Sequence, residues 1–182
     1  MSKYENLFDE EYMPPTIINT SSVYTDIRGQ FSPLKVLNKM VQANVSVSYP
    51  DVVRGLHWQT PHEQSKIVTC VKGSIHDVCL DIRRHSPTFL EVFHFYLNGS
   101  TADQLYVPRG FAHGFEVVDD EPAVVMYFVN EGYHPEDENG IKWSSIGPDI
   151  WKTPVDRAVV SKKDDSWPTL DEYKSKLNLF PL

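Results

Sequence analysis

The chain has 182 residues, of which 41% are hydrophobic and 12% aromatic, and its 25 acidic against 17 basic residues leave a net charge of -8. That length and composition describe one globular domain, 1–182, long enough to bury a sizeable core. The acidic balance argues against a general nucleic-acid binder, which shows a basic face, and no apolar run reaches the roughly 18 residues of a membrane helix.

In chain order, MSKYENLFDEEYMPP is acidic and lacks the apolar stretch of a secretory signal. PTIINTSSVYTD and VQANVSVSYP read as strands, with one short helix in SPLKVLNKM between them. KIVTCV and SIHDVCLDI alternate, are rich in β-branched residues, and are joined by KGS, a hairpin signal. Cys70 and Cys79 fall in these runs and read as buried core thiols. Without a Cys-x-x-Cys spacing they support neither a zinc ribbon nor a redox motif, and a reducing, cytoplasmic setting is expected. LEVFHFYLN, DQLYVP, GFEVV and AVVMYFVN follow, broken by NGS, PRG and DDEP turns. Strands this frequent, with so little helix, predict a sandwich or barrel. Near the end, TLDEYKSKLN reads as a helix capped by Thr169, with Leu170, Tyr173 and Leu177 on one face.

Chemistry enters with RGLHWQTPHEQSK, residues 54–66, which crowds an arginine, two histidines, a glutamate and a lysine together. A lone His57 would read as a satisfied structural histidine. With Arg54 three residues earlier and Lys66 opening the next strand, the group reads as an anion site holding a general base. In LYVPRGFAHGFEV, Pro108, Gly110 and His113 have the spacing of part of the second cupin motif. They set a bend that aims the ring, or a β-turn in which the histidine is incidental. Cupins commonly use that histidine as a metal ligand. The usual first-motif pair of histidines, one residue apart on one strand face, is missing here, since the next after His57 is His62. A set of His57, Glu63 and His113 has poor spacing, so no metal is predicted.

Tyr127 shares a strand face with Val125 and Val129, while Val124, Met126 and Phe128 form the other. Both faces are apolar, which reads as a strand buried on both sides. Tyr127 is then either a core tyrosine with a hydrogen-bond partner, the reading its neighbours favour, or a proton donor facing a cavity. Asp164 and Asp165 in SKKDDSWP read as a solvated loop, unless one folds back to orient His57.

Together these segments resemble the dTDP-4-dehydrorhamnose 3,5-epimerase family, whose members are metal-free, cupin-like jelly rolls. The resemblance runs in order over about residues 16–170. It is carried by DIRGQF, QANVSVS, VVRGLHWQ, SKIVTCVKGSIHDVCLDIRRHSPTF, LYVPRGFAHGF, YHPEDENGIKW and SKKD. It implies an all-β, cupin-like jelly-roll β-sandwich with a short C-terminal helix. It also implies a homodimer whose N-terminal strands contribute across the interface. The implied activity is that of an isomerase in dTDP-rhamnose or related deoxysugar biosynthesis, with a nucleotide-diphosphate sugar as partner and no cofactor, nucleic acid or membrane. Such an enzyme epimerises a 4-keto-6-deoxyhexose at C3, C5 or both, converting dTDP-4-dehydro-6-deoxyglucose to dTDP-4-dehydrorhamnose through an enolate. That chemistry needs a base, an oriented carboxylate, a cation near the oxyanion and an acid across the ring.

By the resemblance, His57 is the base, Asp164 its carboxylate, Lys66 the cation beside the enolate, and Tyr127 the acid opposite. His113 is a further polar group of that pocket. Arg54 and Arg28 hold diphosphate and nucleotide, Gln42, Asn44 and Ser46 contact substrate from one strand face, and Phe31 and Tyr133 flank the nucleotide base. Three departures bear on the nucleotide end. Pro33 stands in RGQFSP where the family has a glutamate, Trp58 precedes Gln59 where smaller aromatics are common, and Ser144 and Ser145 replace the usual Asn/Asp-Asp after the tryptophan. They keep open a single-site epimerase for a different nucleotide-linked 4-keto sugar. A metal-dependent cupin enzyme and a catalytically silent sugar-binding cupin are the remaining alternatives.

Overall fold

A computed structural model describes residues 13–19, 23–37, 39–147 and 149–178. Most of MSKYENLFDEEYMPP lies outside them. Two antiparallel five-stranded sheets form the body, with strands numbered in chain order. The first runs β1 (Thr16–Asn19), β9 (Gln104–Val107), β6 (Lys66–Lys72), β11 (Ala123–Val129) and β4 (Gln42–Ser48). The second runs β12 (Glu138–Gly140), β5 (Val53–Gln59), β10 (Phe111–Val117), β7 (Ser74–Asp81) and β8 (Val92–Asn98). A separate hairpin pairs β2 (Tyr24–Asp26) with β3 (Gly29–Phe31). From β4 to β12 successive strands alternate between the two sheets, except β7 and β8, which pair in the same one; KGS therefore joins strands of different sheets and does not form a hairpin.

The core between the sheets joins Val68 and Cys70 of β6 and Val125 of β11 to Ile75 and Cys79 of β7 and Phe111 and Phe115 of β10. Each such side chain, fully buried, contributes about 1.5–3 kcal/mol. Both cysteines are free and buried, as expected. A second cluster lies on the other face of the second sheet, where Leu56, Val78 and Leu80 meet Trp143, Trp151 and Leu170 from the C-terminal third. That third is pinned by a buried carboxylate. Glu116 accepts hydrogen bonds from the Lys152 and Thr153 backbone N–H groups at 2.8 and 2.7 Å and contacts His76 Nδ1 at 2.8 Å. Burial favours protonation of Glu116, but these partners hold its carboxyl below the usual range.

Two helices follow, α1 (Lys162–Asp165) and α2 (Leu170–Asn178). The α2 cap is reciprocal. Glu172 donates its N–H to Thr169 Oγ1 at 3.2 Å, and Glu172 Oε2 accepts from the Thr169 N–H at 2.7 Å. The helix expected in SPLKVLNKM is not formed by its described residues. Gln104 explains this. Its side chain accepts from the Lys35 N–H at 2.7 Å and donates to the Lys35 carbonyl at 2.9 Å, so the segment is held as though paired with a strand. α1 was not expected; there the sequence reads as a loop.

Candidate active site

A cavity of about 570 Å³ opens between the sheets at one end. β6 and β11 contribute Lys66, Val68, Val125 and Tyr127 to one wall, with Ser46 of β4. β5, β10 and β12 contribute Arg54, His57, His113 and Glu138 to the other, and α1 adds Lys163 and Asp164.

A bulge determines how β5 serves the cavity. Pairing with β10 shifts between His113↔His57 and Phe115↔Arg54, so three steps on β5 oppose two on β10. In a regular strand, residues three apart point to opposite faces. The extra residue turns Arg54 and His57 toward the same cavity. Gly55 makes this possible. Its φ is +116°, and a Cβ there would sit 2.6 Å from Gly114 Cα and 2.7 Å from the His113 carbonyl oxygen.

His57 Nε2 lies 2.7 Å from Asp164 Oδ1. Asp164 Oδ2 accepts the Gly55 N–H at 3.2 Å, and Ser161 Oγ caps α1 by accepting the Asp164 N–H at 3.0 Å. Burial works against the Asp164 charge, but His57, Gly55 and Ser161 together hold its carboxyl below the usual range. An ionised Asp164 makes Nε2 the donor and leaves the lone pair on Nδ1.

On the neighbouring strand His113 Nε2 lies 2.9 Å from both oxygens of Asp77, which is fully buried. Lys66 lines the same cavity, and the charges of Cys79, Asp77 and Glu138 act on its ammonium. Loss of surrounding water lowers its pKa to about 8, with those acidic neighbours resisting the fall. Tyr127 is half-buried, and its hydroxyl makes no hydrogen bond among the described residues. Burial raises its pKa, so it stays a proton donor at neutral pH. Arg54 is steadied by Ser48 Oγ at 2.9 Å.

His57, Asp164, Lys66, Tyr127, His113, Arg54, Tyr133 and Ser46 therefore meet at one cavity. Gln42 and Asn44 do not line it, and their side chains bond to each other at 2.7 Å. Arg28 and Phe31 sit on the exposed β2–β3 hairpin, where Arg28 pairs with Asp26 at 2.5 Å and the Phe31 ring lies 6.3 Å from that of Tyr24. The metal set of His57, Glu63 and His113 is not assembled, because Glu63 is exposed and outside the cavity lining. Among the described residues, donor atoms come within 4.8 Å of one another in Asp77, Cys79 and His113 and in His62, His134 and Asp137; of these six only His113 lines the cavity.

The model of the dTDP-4-dehydrorhamnose 3,5-epimerase family matches residues 17–172. The chain belongs to that family. It is 38% identical over 169 residues to the dTDP-4-dehydrorhamnose 3,5-epimerase of Methanothermobacter thermautotrophicus, covering 86% of this chain and 90% of that one. A crystal structure of the Legionella pneumophila dTDP-6-deoxy-D-glucose-3,5-epimerase with dTDP-4-keto-L-rhamnose superposes with a TM-score of 0.78 at 31% identity, over 90% of this chain and 96% of that one. ChmJ, a 3'-monoepimerase from Streptomyces bikiniensis solved with dTDP-quinovose, gives 0.77 at 26% identity, over 93% and 92%.

Within this epimerase-family chain, two of the three departures belong to packing. The Trp58 ring stands edge-on to Tyr173 of α2 at 5.7 Å, and Ser145 Oγ accepts the Leu170 N–H at 2.9 Å. None of Trp58, Ser145 and Pro33 lines the cavity. Sequence reasoning missed Asp77, Glu138 and Lys163. Asp77 had a signal, since a carboxylate within a strand that reads as core needs a buried partner. Glu138 is hidden in the acidic run PEDE.

Proposed function

We propose that this chain is a catalytic domain that epimerises a dTDP-linked 4-keto-6-deoxyhexose at C3 and C5, converting dTDP-4-dehydro-6-deoxyglucose to dTDP-4-dehydrorhamnose. The observation that carries the reading is the His57–Asp164 pair on one cavity wall with Tyr127 on the other. His57 Nδ1 takes the proton α to the ketone, and the electron pair moves onto the C4 oxygen as an enolate. Lys66 stabilises that oxyanion while its ammonium is charged. Tyr127 returns a proton from the opposite face and regains its own from solvent. Asp164 fixes the ring and stabilises the imidazolium. Arg54 binds diphosphate, His113 and Ser46 contact the sugar, and Tyr133 flanks the nucleotide at the mouth.

The active form in this reading is a homodimer. Arg28 and Phe31 lie on a hairpin exposed along both strands, outside the chain's own cavity, and reach a partner's site instead. Gln42 and Asn44 lie on the strand beside that interface. The outer face of β4 supports this, since Val45, Val47 and the adjacent Tyr49 are 63%, 54% and 68% exposed. Light scattering showing a monomer overturns it. The enzyme works in the cytoplasm, a compartment that suits two unpaired thiols.

Proton NMR in heavy water with dTDP-4-keto-6-deoxyglucose tests the reaction. Loss of both the C3 and C5 signals supports double epimerisation. Loss of one supports a single-site enzyme, a second reading motivated by the likeness to ChmJ and by Pro33. No exchange with dTDP-, GDP-, CDP- or UDP-linked 4-keto sugars overturns both.

A further inference from the structure

His57 is flanked by two carboxylates. Asp164 holds Nε2, and on the other side Glu138 Oε1 lies 4.0 Å from Nδ1, the nitrogen left to act as base. Glu138 is nearly buried, its side chain 10% exposed. Its second oxygen, Oε2, receives Lys163 Nζ at 2.5 Å and the Tyr133 hydroxyl. Burial favours a protonated Glu138, but Lys163, Tyr133 and His57 hold its carboxyl below the usual range. At 4.0 Å the carboxylate is too far to accept a hydrogen bond from Nδ1, yet close enough for its charge to act strongly in a partly closed cavity.

We propose that Glu138 is a positioning residue that stabilises the imidazolium of His57 as the substrate proton arrives at Nδ1, and that Lys163 and Tyr133 set how much of its charge His57 feels. This rests on His57 being the base of the reaction proposed above. Glu138 stays ionised throughout. The C–H bond breaks, its electron pair goes to the enolate, its proton to Nδ1, and His57 later releases that proton to solvent. Between Asp164 and Glu138 the ring becomes cationic between two anions, an arrangement stronger in the charged state than before abstraction. Lys163 restrains the effect by offsetting part of the Glu138 charge that His57 feels. The other ionisable groups facing this cavity are His113 of β10, Lys66 of β6, Tyr127 of β11 and Arg54 of β5.

The test compares Glu138→Gln with Lys163→Met, a change at a side chain that is 48% exposed. In each, the His57 ring is titrated by NMR in the substrate-free protein, and kcat and KM are measured across pH with dTDP-4-keto-6-deoxyglucose. Glu138→Gln should lower the His57 midpoint by about one pH unit and kcat by about tenfold or more, with KM little changed. Lys163→Met should move the midpoint the opposite way. Glu138→Asp should restore part of both readouts. Midpoints that stay put in both variants, or shift in the same direction, overturn the proposal. So does a Glu138→Gln enzyme as dead in proton exchange as His57→Ala, because Glu138 would then be the base itself. If no nucleotide sugar turns over, the epimerase reading fails while the ring titration still reports on the charge coupling.

Discussion

Two histidine–carboxylate pairs stand side by side on adjacent strands, and they differ in who carries the carboxylate. His57 and His113 are register partners across β5 and β10. His113 is met by Asp77 from the neighbouring strand β7, inside the sheet, with side chains 11% and 0% exposed. His57 is met by Asp164 from α1, a four-residue helix 107 positions later in the chain, and its ring is 31% exposed. A pair built into the sheet is rigid and dry, while a pair closed from outside leaves one ring nitrogen open to the cavity. In the proposed mechanism that difference suits His57 to proton transfer and His113 to substrate contact and rigidity.

His57→Ala should separate the pairs most sharply. Exchange of the C3 and C5 protons into heavy water should fall by about 10³-fold or more. The melting temperature should barely change, since Asp164 keeps the Gly55 and Ser161 hydrogen bonds. Tyr127→Phe attacks the same chemistry from the other wall. Product formation should drop about 10²-fold while exchange on the His57 face is largely spared, so the ratio of exchange to turnover rises. His113→Ala should invert the pattern. Asp77 would be left buried without its partner, for a loss of about 3 kcal/mol and roughly 6–12 °C in melting temperature. Turnover of the folded fraction should fall only about tenfold, and comparable losses from both histidines would break the distinction.

The smallest effect lies in pH. Lys66 loses its charge as pH rises through about 8, so kcat/KM should decline above that value. Stability should move the other way. Between about 8 and 10.5, the ordinary lysine value, the unfolded chain holds a proton that the folded one has released, so unfolding becomes harder as pH rises. Denaturant midpoints at pH 8 and pH 10 check the sign.

These contrasts mark where the sequence was readable. KIVTCV and AVVMYFVN announce buried strands through alternation and β-branching, and both are strands. SPLKVLNKM carries helical spacing that a single glutamine from β9 overrides, which no local pattern reveals. Tyr127 reads as core because its neighbours are apolar, but a cavity between two sheets is also lined by core-like residues. The sequence leaves open that Asp164 or Asp165 folds back on His57, and only the resemblance picks Asp164, since its role depends on a helix that bends the chain back onto β5. Glu138 needs the same closure, with Tyr133 and Lys163 coming from either side of it in sequence.

The mutual contact of Gly55 and Gly114 sets a boundary on how this catalyst can change. A Cβ on Gly114 would lie 2.5 Å from the Arg54 carbonyl, just as one on Gly55 would strike Gly114. Neither position tolerates a side chain while the other backbone stays where it is, so the two histidines are spaced by main chain rather than by replaceable packing. Drift by single substitutions is then barred beside the two histidines and easier at exposed positions outside the cavity lining, such as Pro33. A lineage built on this frame can exchange its nucleotide or its sugar long before it can relocate its base.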